Sequence, residues 1–224
     1  MTTSREHGDR RAFLARAKSR LDGFEPHNVA HPLPERGPVP LVFSALLDPD
    51  DLVGSFIRNA TEARATVHRS AARTISKRVL ADIVKRHGVR RAVLSAEREA
   101  QNARAPLEAL GVVVDDLTIA TAEAADLGVT SATFAIATTG TLVQESSAAG
   151  GRTASLLPRV HLAIVPARRI VASTAEVLRG LGLEGRLPSN LVLITGPSRS
   201  GDIEQIIALG VHGPIAVEVV LLGA

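Results

Sequence analysis

The sequence predicts an α/β fold, an open sheet with helices on both faces, preceded by an N-terminal helical arm. Three observations carry this expectation. From residue 48 onward, short aliphatic runs alternate with amphipathic stretches of helical period. Several of the runs, such as Leu162-Ala163-Ile164-Val165, are continuously apolar, as strands buried on both faces are. Two runs in the second half release glycine-rich polar turns, the kind of segment that borders a ligand crevice beyond strand ends.

Taken in order, Arg10 to Leu21 places Phe13, Leu14, Ala17 and Leu21 at helical spacing. Pro26, Pro32, Pro34, Pro38 and Pro40 then bar a regular helix or central strand. These two segments are read as an arm over residues 1–40 ahead of an α/β domain over residues 41–224, although a linker inside a single compact fold is equally allowed. Asp48-Pro49-Asp50-Asp51 opens a helix carrying Leu52, Phe56 and Ile57, with acidic groups at its positive end. A strand is expected around Ala65 to Val67, then an amphipathic helix from Thr74 to His87 closed by Gly88. Ala92 to Leu94, a helix around Pro106 to Leu110, and Val112 to Val114 continue the rhythm. Further strands are expected near 133–137, 141–144, 161–165, 190–195 and 216–222, with helices near 153–157 and 173–181.

Composition excludes several classes of function. Apolar residues make up 45% of the 224 residues while aromatics make up 2%, all Phe, so no Trp or Tyr can stack a base. The pI near 10.1 reflects the absence of Cys and Tyr as buffers more than excess charge, since the formal net charge is +3. Residues 1–110 hold 19 Lys and Arg against 13 acids, and the remainder holds 7 against 10. A basic first half suits a phosphate-bearing ligand or an ordinary solvated helical surface, and nucleic acid is not an expected partner. Zero cysteine excludes disulfides, thiolate catalysis and a cysteine-ligated iron–sulfur cluster in this chain. His27 and His31 lack the partners of a zinc site. No apolar stretch reaches the ~18 residues of a membrane span, and the reading is cytoplasmic.

The candidate site residues come from the two turns. Phe134 to Ala137 runs into Thr138-Thr139-Gly140-Thr141, whose hydroxyls flank a residue that permits close approach. A tight β-turn uses the same residues. Leu191 to Ile194 runs into Thr195-Gly196-Pro197-Ser198-Arg199-Ser200-Gly201-Asp202, which has phosphate-loop glycine spacing but lacks the required Lys and Ser/Thr. There Asp202 reads as an N-cap with Gln205 completing a capping box, leaving Ser198 and Arg199 near a helix start. His212, before Gly213-Pro214, is suited to proton transfer, Arg152 after Gly150-Gly151 to an anion contact, and Glu145 and Glu204 to acid–base work. Each also has an ordinary structural explanation.

Together these motifs carry a resemblance. Thr139-Gly140-Thr141-Leu142-Val143, Leu156 to His161 running into Val165 and Ile170-Val171, Ile194 to Arg199 with Asp202-Ile203-Glu204, and Gly210 to Pro214 resemble the lactate utilization protein C family, the LUD-domain proteins, over roughly residues 40–224. The resemblance implies a fold like that of the NagB/RpiA/CoA-transferase group and 5-formyltetrahydrofolate cyclo-ligase. It also implies a role in oxidising L-lactate to pyruvate beside partner proteins that hold the iron–sulfur clusters. In many such relatives an acidic residue stands where this chain has Thr138.

The resulting expectation is an accessory, non-redox component with no cofactor of its own. Its ligand crevice would be formed by Thr139, Gly140, Thr141, Gly196, Ser198, Arg199 and His212. The alternatives are an enzyme, or a sensor without catalysis, binding a small anionic, CoA-like or folate-like ligand there.

Overall fold

The computed structural model describes Ala15 and residues 47–146, 152–183, 188, 190–201, 207–209 and 212–224. The rest of the expected N-terminal helix, the proline-rich stretch, Gly150, Gly151, Asp202, Glu204 and Gln205 lie outside the described residues.

Helix α1 (Leu52–Glu62) begins where Asp51 accepts a hydrogen bond from the Gly54 amide at 2.8 Å, and it buries Phe56 and Ala60. Strand β1 (Thr66–Ser70), α2 (Lys77–His87) and β2 (Arg91–Leu94) follow. Lys85, Arg86 and His87 fill the last turn of α2, and Gly88 closes it at φ 63°. Two short helices, α3 (Arg98–Gln101) and α4 (Arg104–Glu108), lead to β3 (Val113–Asp115). Thr118 caps α5 (Ile119–Glu123) ahead of β4 (Leu127–Ser131). Then come β5 (Phe134–Ile136), β6 (Thr141–Glu145), α6 (Thr153–Leu156) and β7 (Val160–Pro166). A 3₁₀ turn (Ala167–Arg169) precedes β8 (Ile170–Val171), α7 (Thr174–Leu183), β9 (Leu191–Ile194), β10 (Arg199–Gly201), β11 (Ile207–Leu209) and β12 (Ala216–Leu222).

Six strands form a parallel sheet in the order β1-β12-β7-β4-β2-β3. On one face, Leu80 and Ile83 of α2, Ala100 of α3 and Leu107 of α4 belong to a core with Leu94, Val129, Leu162 and Val220. On the other, Phe56 and Ala60 of α1 and Ala135 and Leu142 of the β5–β6 hairpin share a core with Ala163, Val165 and Val219. That hairpin belongs to a second sheet, ordered β8-β5-β6-β9, against which α7 packs Val177 and Leu181. Helices thus flank the parallel sheet on both faces, as the alternating pattern requires.

Three features depart from the sequence reading. Strand β4 is buried at all five positions although Gly128, Thr130 and Ser131 break its apolar run. The glycine is needed there, because a Cβ would meet the Ala154 carbonyl oxygen at 1.8 Å. Secondly, β5, β6 and β9 belong to the small sheet, so the two glycine turns do not lie at the ends of the parallel strands. Thirdly, Ile207–Leu209 pairs antiparallel with Arg199–Gly201, so extended backbone stands at 207–209, where the sequence reading expects a helix opened at Asp202 to continue.

Two buried polar clusters tie the layers together. Gln144 of β6 donates to the Thr130 hydroxyl, which is also hydrogen-bonded to His161 Nε2, 2.8 Å away. His161 Nδ1 has no hydrogen-bond partner among the described residues, and burial lowers the His161 pKa to about 4. Glu218 of β12, only 1% exposed, accepts from His68 at 2.7 Å, His87 at 2.7 Å and Arg86 at 2.9 Å. Burial pushes its carboxyl up, but the two histidine hydrogen bonds and the Arg86 charge outweigh this and hold it below the usual range.

Candidate functional site

The parallel strands deliver their loops to one edge, at their carboxyl ends. From β2 the chain moves outward to β3, whereas from β4 it returns through β7 and β12 in the other direction. Loops that diverge in this way leave a crevice between them. A cleft of about 510 Å³ opens at this edge, lined by Arg73 and Thr74 after β1, Arg98, Glu99 and Asn102 after β2, Ala167 and Arg168 after β7, and Leu222 and Gly223 at the end of β12.

Arg168 and Arg169 are neighbours with different tasks. Arg169 is held: it donates to Glu99 Oε1 at 3.1 Å, to the Ser131 hydroxyl at 3.0 Å and to the Ala132 carbonyl at 2.9 Å. Glu99 is thereby neutralised while remaining in the lining. Arg168, Arg73 and Arg98 are exposed, and none has an ion-pair partner among the described residues. The lining therefore carries three unbalanced positive charges.

In the loop after β2, the Ser95 hydroxyl and the Glu97 Oε2 atom are both buried. Burial raises the Glu97 carboxyl above its ordinary range, opposed in part by hydrogen bonds from the Ser95 hydroxyl and the backbone, while the Glu99 charge adds to the rise and the Arg169 charge opposes it. Chemically, this edge combines guanidinium groups of a kind that can hold an anion with a carboxyl that retains its proton to higher pH than usual.

The residues singled out from the sequence occupy different ground. Thr139 and Thr141 hydroxyls lie 2.6 Å apart, and Thr141 lies 2.7 Å from Thr195, so these hydroxyls satisfy one another. Gly140 and Gly196, both at positive φ, abut α1: a Cβ on Gly140 would meet the Ala60 nitrogen at 2.1 Å and one on Gly196 the Ala63 carbonyl oxygen at 2.0 Å. The close approach inferred for these glycines is thus to backbone of the same chain. The Ser198 amide donates to the Pro214 carbonyl at 2.9 Å, joining the two later motifs, while Arg199 and His212 are exposed. Arg152 immediately precedes α6, and Glu145 ends β6.

Sequence reasoning missed Arg73, Arg98 and Arg168. The available signal is that Arg98 and Arg168 each follow an aliphatic run by a few residues, whereas Arg73 follows the mostly polar strand β1. Among the described residues, no group of His, Asp and Glu side chains is arranged to hold a metal ion, and no helix is long and apolar enough to cross a membrane.

Comparison with known proteins agrees with the architecture. Residues 53–222 match the LUD domain. Lactate utilization protein C of Shouchella clausii is 46% identical over 97 residues, which are 42% of this chain and 42% of that protein. Its counterpart from Bacillus subtilis is 40% identical over 105 residues, or 45% of this chain and 44% of that protein. These matched stretches span less than half of either relative. Lactate utilization protein C 1 of Bacillus mycoides aligns along nearly the whole length, 27% identical over 96% of this chain and 97% of that protein. A crystal structure of a DUF162 family protein from Deinococcus radiodurans superposes with a TM-score of 0.56 at 24% identity, covering 79% of this chain and 99% of that one, a likeness of fold.

Proposed function

Because the chain belongs to the LUD-domain family, we propose that it serves lactate utilization as an accessory component that binds a small anion at the carboxyl edge of its parallel sheet. In this reading it acts beside iron–sulfur partner proteins in the oxidation of L-lactate to pyruvate and carries no redox centre itself. The names of the relatives support the pathway, and the absence of cysteine supports the division of labour, since cluster thiolates must then come from elsewhere.

The observation that carries the site is the convergence on one cleft of three arginines, from three separate strand ends, that have no ion-pair partner among the described residues. Charge-assisted contacts of this kind orient an anion, and the proton-retaining Glu97 lies in the loop just before Arg98 and Glu99. Growth on L-lactate of a strain lacking the chain, with the intact gene restored as control, tests the pathway. Restorable loss of growth is expected; growth indifferent to the deletion contradicts the role.

A second placement, around Thr139, Gly140, Thr141, Gly196, Ser198, Arg199 and His212, has the exposure of Arg199 and His212 in its favour. Ligand binding lost in Arg199→Ala and retained in Arg98→Ala would select it.

A further inference from the structure

The strand-end cleft holds more positive charge than a monocarboxylate requires. A single guanidinium offers five donors and satisfies a carboxylate through two parallel hydrogen bonds. Here three arginines, Arg73, Arg98 and Arg168, line one cavity, with Thr74 and Asn102 as further polar lining residues. The one acidic side chain in the described lining, Glu99, is already paired with Arg169 and does not offset them. The three arginines come from loops after β1, β2 and β7, so the chain assembles this charge through its topology and not along one basic helix. The volume, about 510 Å³, lies in the range of small-molecule sites.

We infer that this cleft takes an organic phosphate bearing at least two negative charges, its phosphoryl oxygens gripped by Arg73, Arg98 and Arg168, and that lactate is not its ligand. The inference rests on the ligand site proposed above and adds the ligand's class to it.

Calorimetric titration of the full chain with ribose 5-phosphate, ADP, pyrophosphate and L-lactate, at fixed ionic strength, tests it. At least one of the two organic phosphates is expected to bind ten times more tightly than lactate. Tighter binding of ADP would indicate a diphosphate-bearing nucleotide, and of ribose 5-phosphate a sugar monophosphate. Arg98→Ala and Arg168→Ala should each weaken that binding about tenfold. Arg90→Ala, which removes an exposed charge at the opposite edge of the sheet, should leave it unchanged. Circular dichroism melts establish that the variants are folded, and Arg168→Glu supplies a second, stronger perturbation of the same position. Lactate binding as tightly as both organic phosphates, with Arg98→Ala still weakening it, overturns the ligand class and leaves the site in place. Phosphate binding indifferent to Arg98 and Arg168, or no binding by any probe, overturns both.

Discussion

Arg169 donates to Glu99 across 3.1 Å, and with that contact the guanidinium links the loop after β2 to the loop after β7. Its other hydrogen bonds, to Ser131 and the Ala132 carbonyl, add the end of β4. One side chain therefore ties together three loops at the edge where the proposed site lies. Arg169→Ala is expected to lower stability by about 1–3 kcal/mol, because it leaves the partly buried Glu99 carboxylate unpaired. Urea denaturation of parent and variant measures it. Arg169→Lys should recover only part of the loss, since an ammonium cannot reproduce the planar fork.

His161 makes stability depend on pH in a specific window. Its pKa is about 4 in the folded protein against 6.5 for a free imidazole, so the unfolded chain binds the extra proton between these values. Stability from this group is complete above pH 6.5, declines as pH falls from 6.5 to 4, and changes no further below 4. The full loss is on the order of 3 kcal/mol. Urea midpoints measured from pH 7 to pH 4 should show this decline, and His161→Leu should flatten it.

Glu218 acts at lower pH. Its folded pKa is depressed, so its contribution is present above the unfolded carboxylate range and is lost as pH falls through the folded value. Glu218→Gln is expected to remove that acid-side loss while costing about 3 kcal/mol at neutral pH, because His68, His87 and Arg86 lose the carboxylate they share. The two windows are separable because His161 responds before the carboxylate is protonated.

Gly140→Ala distinguishes a structural turn from a ligand turn. A Cβ there meets α1 backbone at 2.1 Å and sits at φ 63°, so a loss of about 2–3 kcal/mol is expected from thermal or urea unfolding. A stable variant that has lost only ligand binding would show instead that the turn faces a ligand.

The legible parts of the fold were those with strong local signals. Helix α2 announces itself through Leu80, Ile83 and the Gly88 stop, and β7 and β12 through the aliphatic runs Leu162 to Val165 and Val219 to Leu222. Strand β4 was not legible, since Gly128, Thr130 and Ser131 look like turn residues until the neighbours that demand them are in place: Ala154 against Gly128, Gln144 and His161 around Thr130, Arg169 against Ser131. The site shares that difficulty. Arg73, Arg98 and Arg168 form no motif along the chain and meet only through the strand order. Thr139-Gly140-Thr141 and Gly196 are conspicuous in sequence, yet their glycines answer to the backbone of α1, a packing demand that local pattern does not reveal.

Complementation joins the cleft to the proposed role most directly. A strain lacking this chain is supplied with either the parent or the Arg98→Ala, Arg168→Ala double variant, matched for folded protein, and growth on L-lactate is measured. The parent should restore growth and the double variant should not. Full restoration by the double variant would contradict the claim that the strand-end cleft is where this protein does its work.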